Sequence, residues 1–193
     1  MAQQHGPWTI QETSHKYHNS FIDVSEDQVL QPNGQSGMYA TVKMKPGVAI
    51  LPLDNNGFVY LIQQFRYALG KESIEVTCGA IDEGEAPLEA AKRELQEELG
   101  VIADEWIDLG VLDLDTSIVD CPVHLFLAKQ LSFTKTNREG TETIKTIKVA
   151  LNVAGQMVID NTITHCPSCI LILKAINALR NYAEPDEKCE TRQ

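Results

Sequence analysis

GAIDEGEAPLEAAKRELQEELGV, residues 79–101, crowds acidic side chains into a chain whose formal net charge is already −11. Pro87 suits the first turn of a helix and Gly100 the position just past its end. Leu88, Ala91, Leu95 and Leu99 fall on one helical face, so the pattern predicts a helix over 87–99. Glu94 and Glu98 then sit one turn apart on a different face, where like charges repel. Glu97 lies four residues after Arg93, within reach of an ion pair, and Glu85 can fold back over the first turn. A solvated, salt-bridged face is the ordinary outcome of so acidic a helix. The alternative is a divalent cation, because hard ions take carboxylate oxygens and negative charge offsets the cost of dehydrating them.

The rest of the chain narrows the choice. Its 193 residues, 43% hydrophobic and 22% charged, suit one soluble domain with room for a small appended element. MAQQHGPWTIQE at the N-terminus has neither a basic nor an apolar leader region, so no signal peptide is expected. CILILKAINAL (169–179) is interrupted by Lys174 and too short to span a bilayer, so no membrane association is expected. Five irregularly spaced cysteines fit a reducing compartment and a cytoplasmic protein. The acidic balance argues against a nucleic-acid partner. It permits a polyanionic small molecule if bound cations mediate the contact.

Segments within 8–46 alternate like short strands of a small antiparallel sheet, with a turn at 31–34. Strands at 48–53 and 58–63 flank Asp54-Asn55-Asn56-Gly57, a hairpin signal. Further strands are expected at 73–77, 106–114, 121–131 and 143–151. A polar loop at 134–142 and an amphipathic helix at 168–182 complete the pattern, and the tail 184–193 reads as frayed. The order implies an α/β (α+β) fold with a mixed sheet.

Gly79, five residues, Glu85, seven residues, then Arg93-Glu94-Leu95-x-Glu97-Glu98-x-Gly100-Val101 resembles the Nudix box at every specified position. The resemblance implies the Nudix fold, a mixed β-sheet sandwiched between helices, and Mg²⁺- or Mn²⁺-dependent hydrolysis of a nucleoside diphosphate linked to another moiety. It implies that Glu94 and Glu98 ligate metal directly, that Glu97 and Glu85 support the site, and that Arg93 fixes its geometry by ion pairing. In-line attack of a metal-activated water on one phosphorus follows, with a basic residue taking the proton.

Around the box, GVAILPLDNNGFVYLIQQFRYALGKESIEVTCGAIDEGE is similar to the ADP-ribose pyrophosphatase and nucleoside-diphosphate-sugar branch, a resemblance extending over roughly 7–180. By that resemblance Arg66 and Glu75 face the substrate, and a fork-shaped guanidinium suits phosphate oxygens. The backbone carbonyl of Cys78 is offered to a metal. The catalytic base is a glutamate in the loop after the box, Glu142 by register or Glu139 as second candidate. The strands of 1–46 match an N-terminal sheet exchanged between subunits, which implies a homodimer, with 47–183 as the hydrolase domain. Trp8 fits either the aromatic wall of an adenine pocket or the core.

The chain departs from that branch in two places. Thr77-Cys78 replaces Pro-Ala before the box glycine, and Asp115-Thr116-Ser117 stands where a Pro-Gly pair is usual. By the resemblance ADP-ribose is still the leading substrate, and these departures bring in GDP- or ADP-hexoses, dinucleoside polyphosphates or nucleotide cofactors as alternatives. A Nudix-fold sensor without turnover is a third reading, opposed by the intact acidic set. Cys166 and Cys169 form a lone CxxC with no second pair for zinc, and His124 reads as a packed strand residue.

Overall fold

The structure, a computed structural model, describes residues 2–135 and 144–183. Its chain divides into two compact units, Met1–Gly47 with Asp113–Val123 and Val48–Leu112 with His124–Gln193.

The first unit is built on strands β1 (Gln3–His5), β2 (Trp8–His18), β3 (Ile22–Leu30) and β4 (Ser36–Met44), each antiparallel to the next. The expected turn at 31–34 closes β3 onto β4: Gln31 N–H donates to the Gln35 carbonyl and Gly34 N–H to the Gln31 carbonyl, both at 2.8 Å. Gly34 has φ +80°, a conformation open to glycine without strain. The first residues of β10 (Val119–Phe133) run parallel beside β4, Val119 opposite Val42. The Thr116-Ser117 segment forms the turn before β10, where Asp115 Oδ1 accepts both the Ser117 N–H at 2.9 Å and its hydroxyl at 2.6 Å. Trp8 is half-buried and meets Tyr39 edge-on at 5.7 Å. Both line a cavity of about 420 Å³ within this unit, together with Ser117 and Ile118.

The second unit carries the hydrophobic core. Strands β5 (Gly47–Pro52) and β8 (Thr77–Ala80) follow β10 in sheet order, and β9 (Val101–Asp115) pairs with β10. A separate antiparallel sheet has the order β11 (Lys145–Ala150), β6 (Phe58–Arg66), β7 (Lys71–Glu75). Among the described residues three α-helices complete the unit: α1 (Pro87–Leu99), α2 (Leu151–Ile159) and α3 (Cys166–Ala183). The run VAIL of β5 is buried on both faces, which explains its unbroken hydrophobicity. Ala90, Ala91, Leu95 and Leu99 of α1 join Ile50, Ile62 and Phe126 in one cluster. Burying a side chain the size of Leu95 contributes about 2 kcal/mol.

Several boundaries differ from the sequence reading. The strands expected at 106–114 and 121–131 extend over Val101–Asp115 and Val119–Phe133, because they pair with each other as one long hairpin. The strand expected to run to Leu151 stops at Ala150, where α2 begins. Within α2, a methyl group on Gly155 would press on the end of the Ile176 side chain of α3, so the glycine leaves room where the two helices meet. The tail 184–193 lies outside the described residues. Among the described residues no helix is long and apolar enough to cross a membrane.

Thr77 at the start of β8 is fully buried, and its hydroxyl finds no hydrogen-bond partner among the described residues. An unpaired buried hydroxyl costs about 1–3 kcal/mol. Thr77→Val is expected to raise the melting temperature by about 2–4 °C, read by thermal unfolding in chelator.

Candidate functional site

α1 begins and ends as its sequence dictates. Pro87 occupies the first turn, and Gly100 closes the helix in the left-handed conformation (φ 63°), donating to the Gln96 carbonyl at 2.9 Å. Its inner face carries Glu98 as well as the apolar residues, and Glu98 is only 5% exposed. A carboxylate that deep is costly unless its charge is answered.

Arg93 organises the remaining acids. Its Nε and Nη2 donate to the two oxygens of Glu85, both at 2.9 Å, and Nη2 also donates to the Ala80 carbonyl at 3.0 Å. Nη1 donates to Glu94 at 2.7 Å and Glu97 at 3.3 Å. One guanidinium therefore ties the end of β8, the loop before α1 and the helix itself together. The sequence pointed to the Glu97 pair. The contacts to Glu85, Glu94 and Ala80 depend on how the loop folds back, helped by Asp82 N–H donating to Glu85 at 3.1 Å. Arg93 lowers the Glu85 carboxyl from 4.5 to about 2, and Glu85 foremost raises Arg93 above its ordinary range.

Gly79 lies directly under this arrangement. A methyl group built on it would overlap the Glu94 side chain, so the bare backbone leaves the cradle in which that carboxylate rests. Gly79→Ala is expected to preserve the fold, since a flexible side chain can swing away, while displacing Glu94. A roughly hundredfold loss of kcat/KM with a melting temperature within about 3 °C of wild type checks this.

Cys78, one residue earlier, is half-buried. Burial first, then Glu98, Glu75 and Glu94, push its thiol well above the ordinary range, with Arg66 opposing. It is therefore no thiolate nucleophile.

Arg66 ends β6 and Glu75 ends β7. The register places Arg66 opposite Lys71 and Glu75 opposite Ile62, so both side chains lie on one face of the pair, and the arginine folds back along the sheet. Arg66 Nε donates to the two Glu75 oxygens at 3.0 and 3.2 Å, and Nη2 donates at 2.5 Å. Glu75 is 2% exposed, whereas the Arg66 side chain keeps 37% of its surface in solvent. Burial alone would raise the Glu75 carboxyl, but the Arg66 hydrogen bonds, His165 and Ser73 together hold it below its ordinary value. Sequence reasoning named both residues separately and missed His165, which approaches Glu75 from the start of α3, and Ser168, which contacts the His165 ring and the Val76 N–H. A histidine and a serine three apart at a predicted helix start were the available signal, obscured by the adjacent CxxC.

Glu139 and Glu142, the two candidates for the base, lie outside the described residues. Among the described residues no three His, Cys, Asp or Glu side chains stand at ion-holding spacing; Glu85, Glu94 and Glu97 each bond to Arg93 instead. The donor chemistry nevertheless fits a hard divalent cation: carboxylate and carbonyl oxygens, with a glycine cradle that leaves Glu94 room beside the backbone.

The model of the NUDIX domain family matches residues 43–150. Among similar curated proteins, the ADP-ribose pyrophosphatase of Bacillus subtilis (strain 168) is 32% identical over 139 residues, covering 71% of this chain and 75% of that one. The methanol dehydrogenase activator of Bacillus methanolicus is 29% identical over 154 residues, covering 78% and 83%. A crystal structure of ADP compounds hydrolase superposes with a TM-score of 0.80 at 20% identity, over 91% of this chain and 95% of the other. At that identity the superposition establishes the fold.

Proposed function

The chain belongs to the NUDIX family, and from that premise we propose that it hydrolyses the pyrophosphate bond of ADP-ribose or a related nucleoside diphosphate sugar. Water adds to one phosphorus, the bridging P–O bond breaks, and a nucleoside monophosphate and a sugar phosphate leave. The observation that carries this reading is the Arg93 cluster of Glu85, Glu94 and Glu97 beside Gly79, with Glu98 buried on the same helix.

In this reading Glu94 and Glu98, with the Cys78 carbonyl and with Glu97 and Glu85 in support, would hold Mg²⁺ or Mn²⁺. Bound divalent cations supply charge neutralisation on the pyrophosphate oxygens and an acidified water. Arg93 keeps the acidic groups in place. Arg66, anchored by Glu75, offers its exposed edge to a phosphate oxygen. Glu142, or else Glu139, accepts the water's proton.

The same reading takes 1–46 as the dimerising element of a homodimer and 47–183 as the hydrolase domain. Tyr17 and Met38 on the N-terminal strands and Phe21 in the turn between β2 and β3, 55%, 62% and 69% exposed, support it. The described cysteines are all free thiols, which supports a reducing, cytoplasmic setting.

Substrate choice is tested by kcat/KM over ADP-ribose, ADP- and GDP-hexoses, diadenosine polyphosphates and dinucleotide cofactors. ADP-ribose or another nucleotide sugar is expected to lead by at least about tenfold, or about 1.4 kcal/mol of transition-state binding. A dinucleoside polyphosphate leading the panel would overturn the nucleotide-sugar assignment.

A further inference from the structure

The Arg66–Glu75 pair is approached from behind by a residue of neither strand. His165 stands one residue ahead of α3, and its carbonyl accepts the Cys169 N–H at 3.0 Å as the first helical bond. Its ring Nδ1 lies 2.8 Å from Ser168 Oγ and 3.6 Å from Glu75 Oε2. Ser168 is fully buried, and its Oγ accepts the Val76 N–H at 2.9 Å. One ring nitrogen thus faces both the hydroxyl that ties α3 to the backbone after β7 and the carboxylate that holds Arg66.

The protonation of that nitrogen follows from its surroundings. Nδ1 either accepts the Ser168 O–H or donates an N–H; as an acceptor its lone pair would sit 3.6 Å from a carboxylate taken out of water, where repulsion is poorly screened. An N–H there turns its positive end toward the same charge. Ser168 Oγ has two lone pairs and can accept from Val76 and from Nδ1–H together. Burial keeps the second proton off the ring, with Glu75 opposing and Arg66 reinforcing that tendency. The result is a neutral imidazole in one tautomer, wedged between helix and strand.

We propose that His165, as the Nδ1–H tautomer, is a positioning residue for Arg66. It fixes the Glu75 carboxylate, Glu75 fixes the guanidinium fork, and the fork sets how tightly the pyrophosphate is held. The last link rests on the substrate reading above; the first two do not. Glu75 receives Arg66 through three hydrogen bonds, so a small rotation of its carboxylate misaims every one of them. Because Arg66 binds phosphate in the ground state and the transition state alike, loosening it weakens binding more than turnover.

A purely structural role, capping α3 and docking it on β7, predicts a different pattern: lower stability with unchanged kinetics in whatever protein remains folded. His165→Ala is therefore expected to raise KM about tenfold with kcat within about twofold. His165→Asn, which presents an amide N–H where Nδ1–H stood, is expected to bring KM back to within about threefold of wild type. In the full wild-type chain, the ring ¹⁵N spectrum should show Nδ1 protonated. The Arg66 Nε–H signal, assigned through Arg66→Lys, should be sharp in wild type and exchange-broadened in His165→Ala. Protonation at Nε2 instead, an unchanged KM in folded His165→Ala, or an undisturbed Arg66 signal would each overturn the proposal. Should His165→Ala fail to fold, the wild-type tautomer and the His165→Asn kinetics still decide it. Should wild type cleave no nucleotide sugar, the substrate reading fails, while the tautomer and the Arg66 signal still judge the positioning claim.

Discussion

Glu98→Gln is expected to lower kcat/KM for ADP-ribose about a thousandfold, or about 4 kcal/mol of transition-state stabilisation. The amide has the shape of the carboxylate and fits the same 5% exposed position on α1. It replaces an anionic oxygen by a neutral group, which removes the donor that a hard cation prefers. The same change relieves the cost of burying a charge. In chelator the variant should therefore melt at or above the wild-type temperature, while the rise in melting temperature that Mg²⁺ is expected to give wild type should be absent. Full turnover, or an undiminished Mg²⁺-dependent rise, would sink the assignment of Glu98 as a ligand.

Arg93→Met carries the second large effect. Methionine keeps the apolar stem but removes the guanidinium donors to Glu85, Glu94, Glu97 and the Ala80 carbonyl. Three carboxylates are left facing one another, each partly sheltered from water. Breaking such a network by removing one partner costs about 2–3 kcal/mol at this partial exposure, a melting temperature lower by about 5–10 °C. Activity should fall at least about a thousandfold, because Glu94 and Glu97 lose the group that aims them.

Acid titration checks the electrostatic part. The folded Glu85 carboxyl lies at about 2 against an ordinary 4.5. A depressed carboxyl contributes stability that is present above 4.5 and is lost as pH falls through that window toward 2. Wild type should show that loss, and Arg93→Met a flatter profile over the same range. An equal slope in the two proteins would mean that Arg93 does not hold Glu85 in solution.

How much of this was readable in the sequence differs by element, for physical reasons. α1 was legible end to end, because Pro87, the apolar face and Gly100 are local signals that agree with one another. The hairpin at 54–57 was legible too: Asp54 accepts the Asn56 and Phe58 N–H groups at 2.9 and 3.0 Å, and Gly57 takes φ 81°. α2 was not, because its N-terminus has no side-chain cap and Gly155 is explained by Ile176, a residue far along the chain. Arg66 and Glu75 were identifiable as residues but not as a pair, since their meeting depends on the register of β6 with β7. His165 acquires meaning only when α3 is set beside β7. Spacing on one helix is written in the sequence; contacts between elements are written in the packing.

Pyrophosphate hydrolysis by this chain is tested by incubating the wild-type protein with ADP-ribose in ¹⁸O-water and analysing the products by mass spectrometry. AMP and ribose 5-phosphate are expected in equal amounts with Mg²⁺ or Mn²⁺ present, with one ¹⁸O on only one of the two and no cleavage in excess chelator. Intact ADP-ribose after prolonged incubation with metal, or cleavage that persists undiminished in chelator, would contradict it.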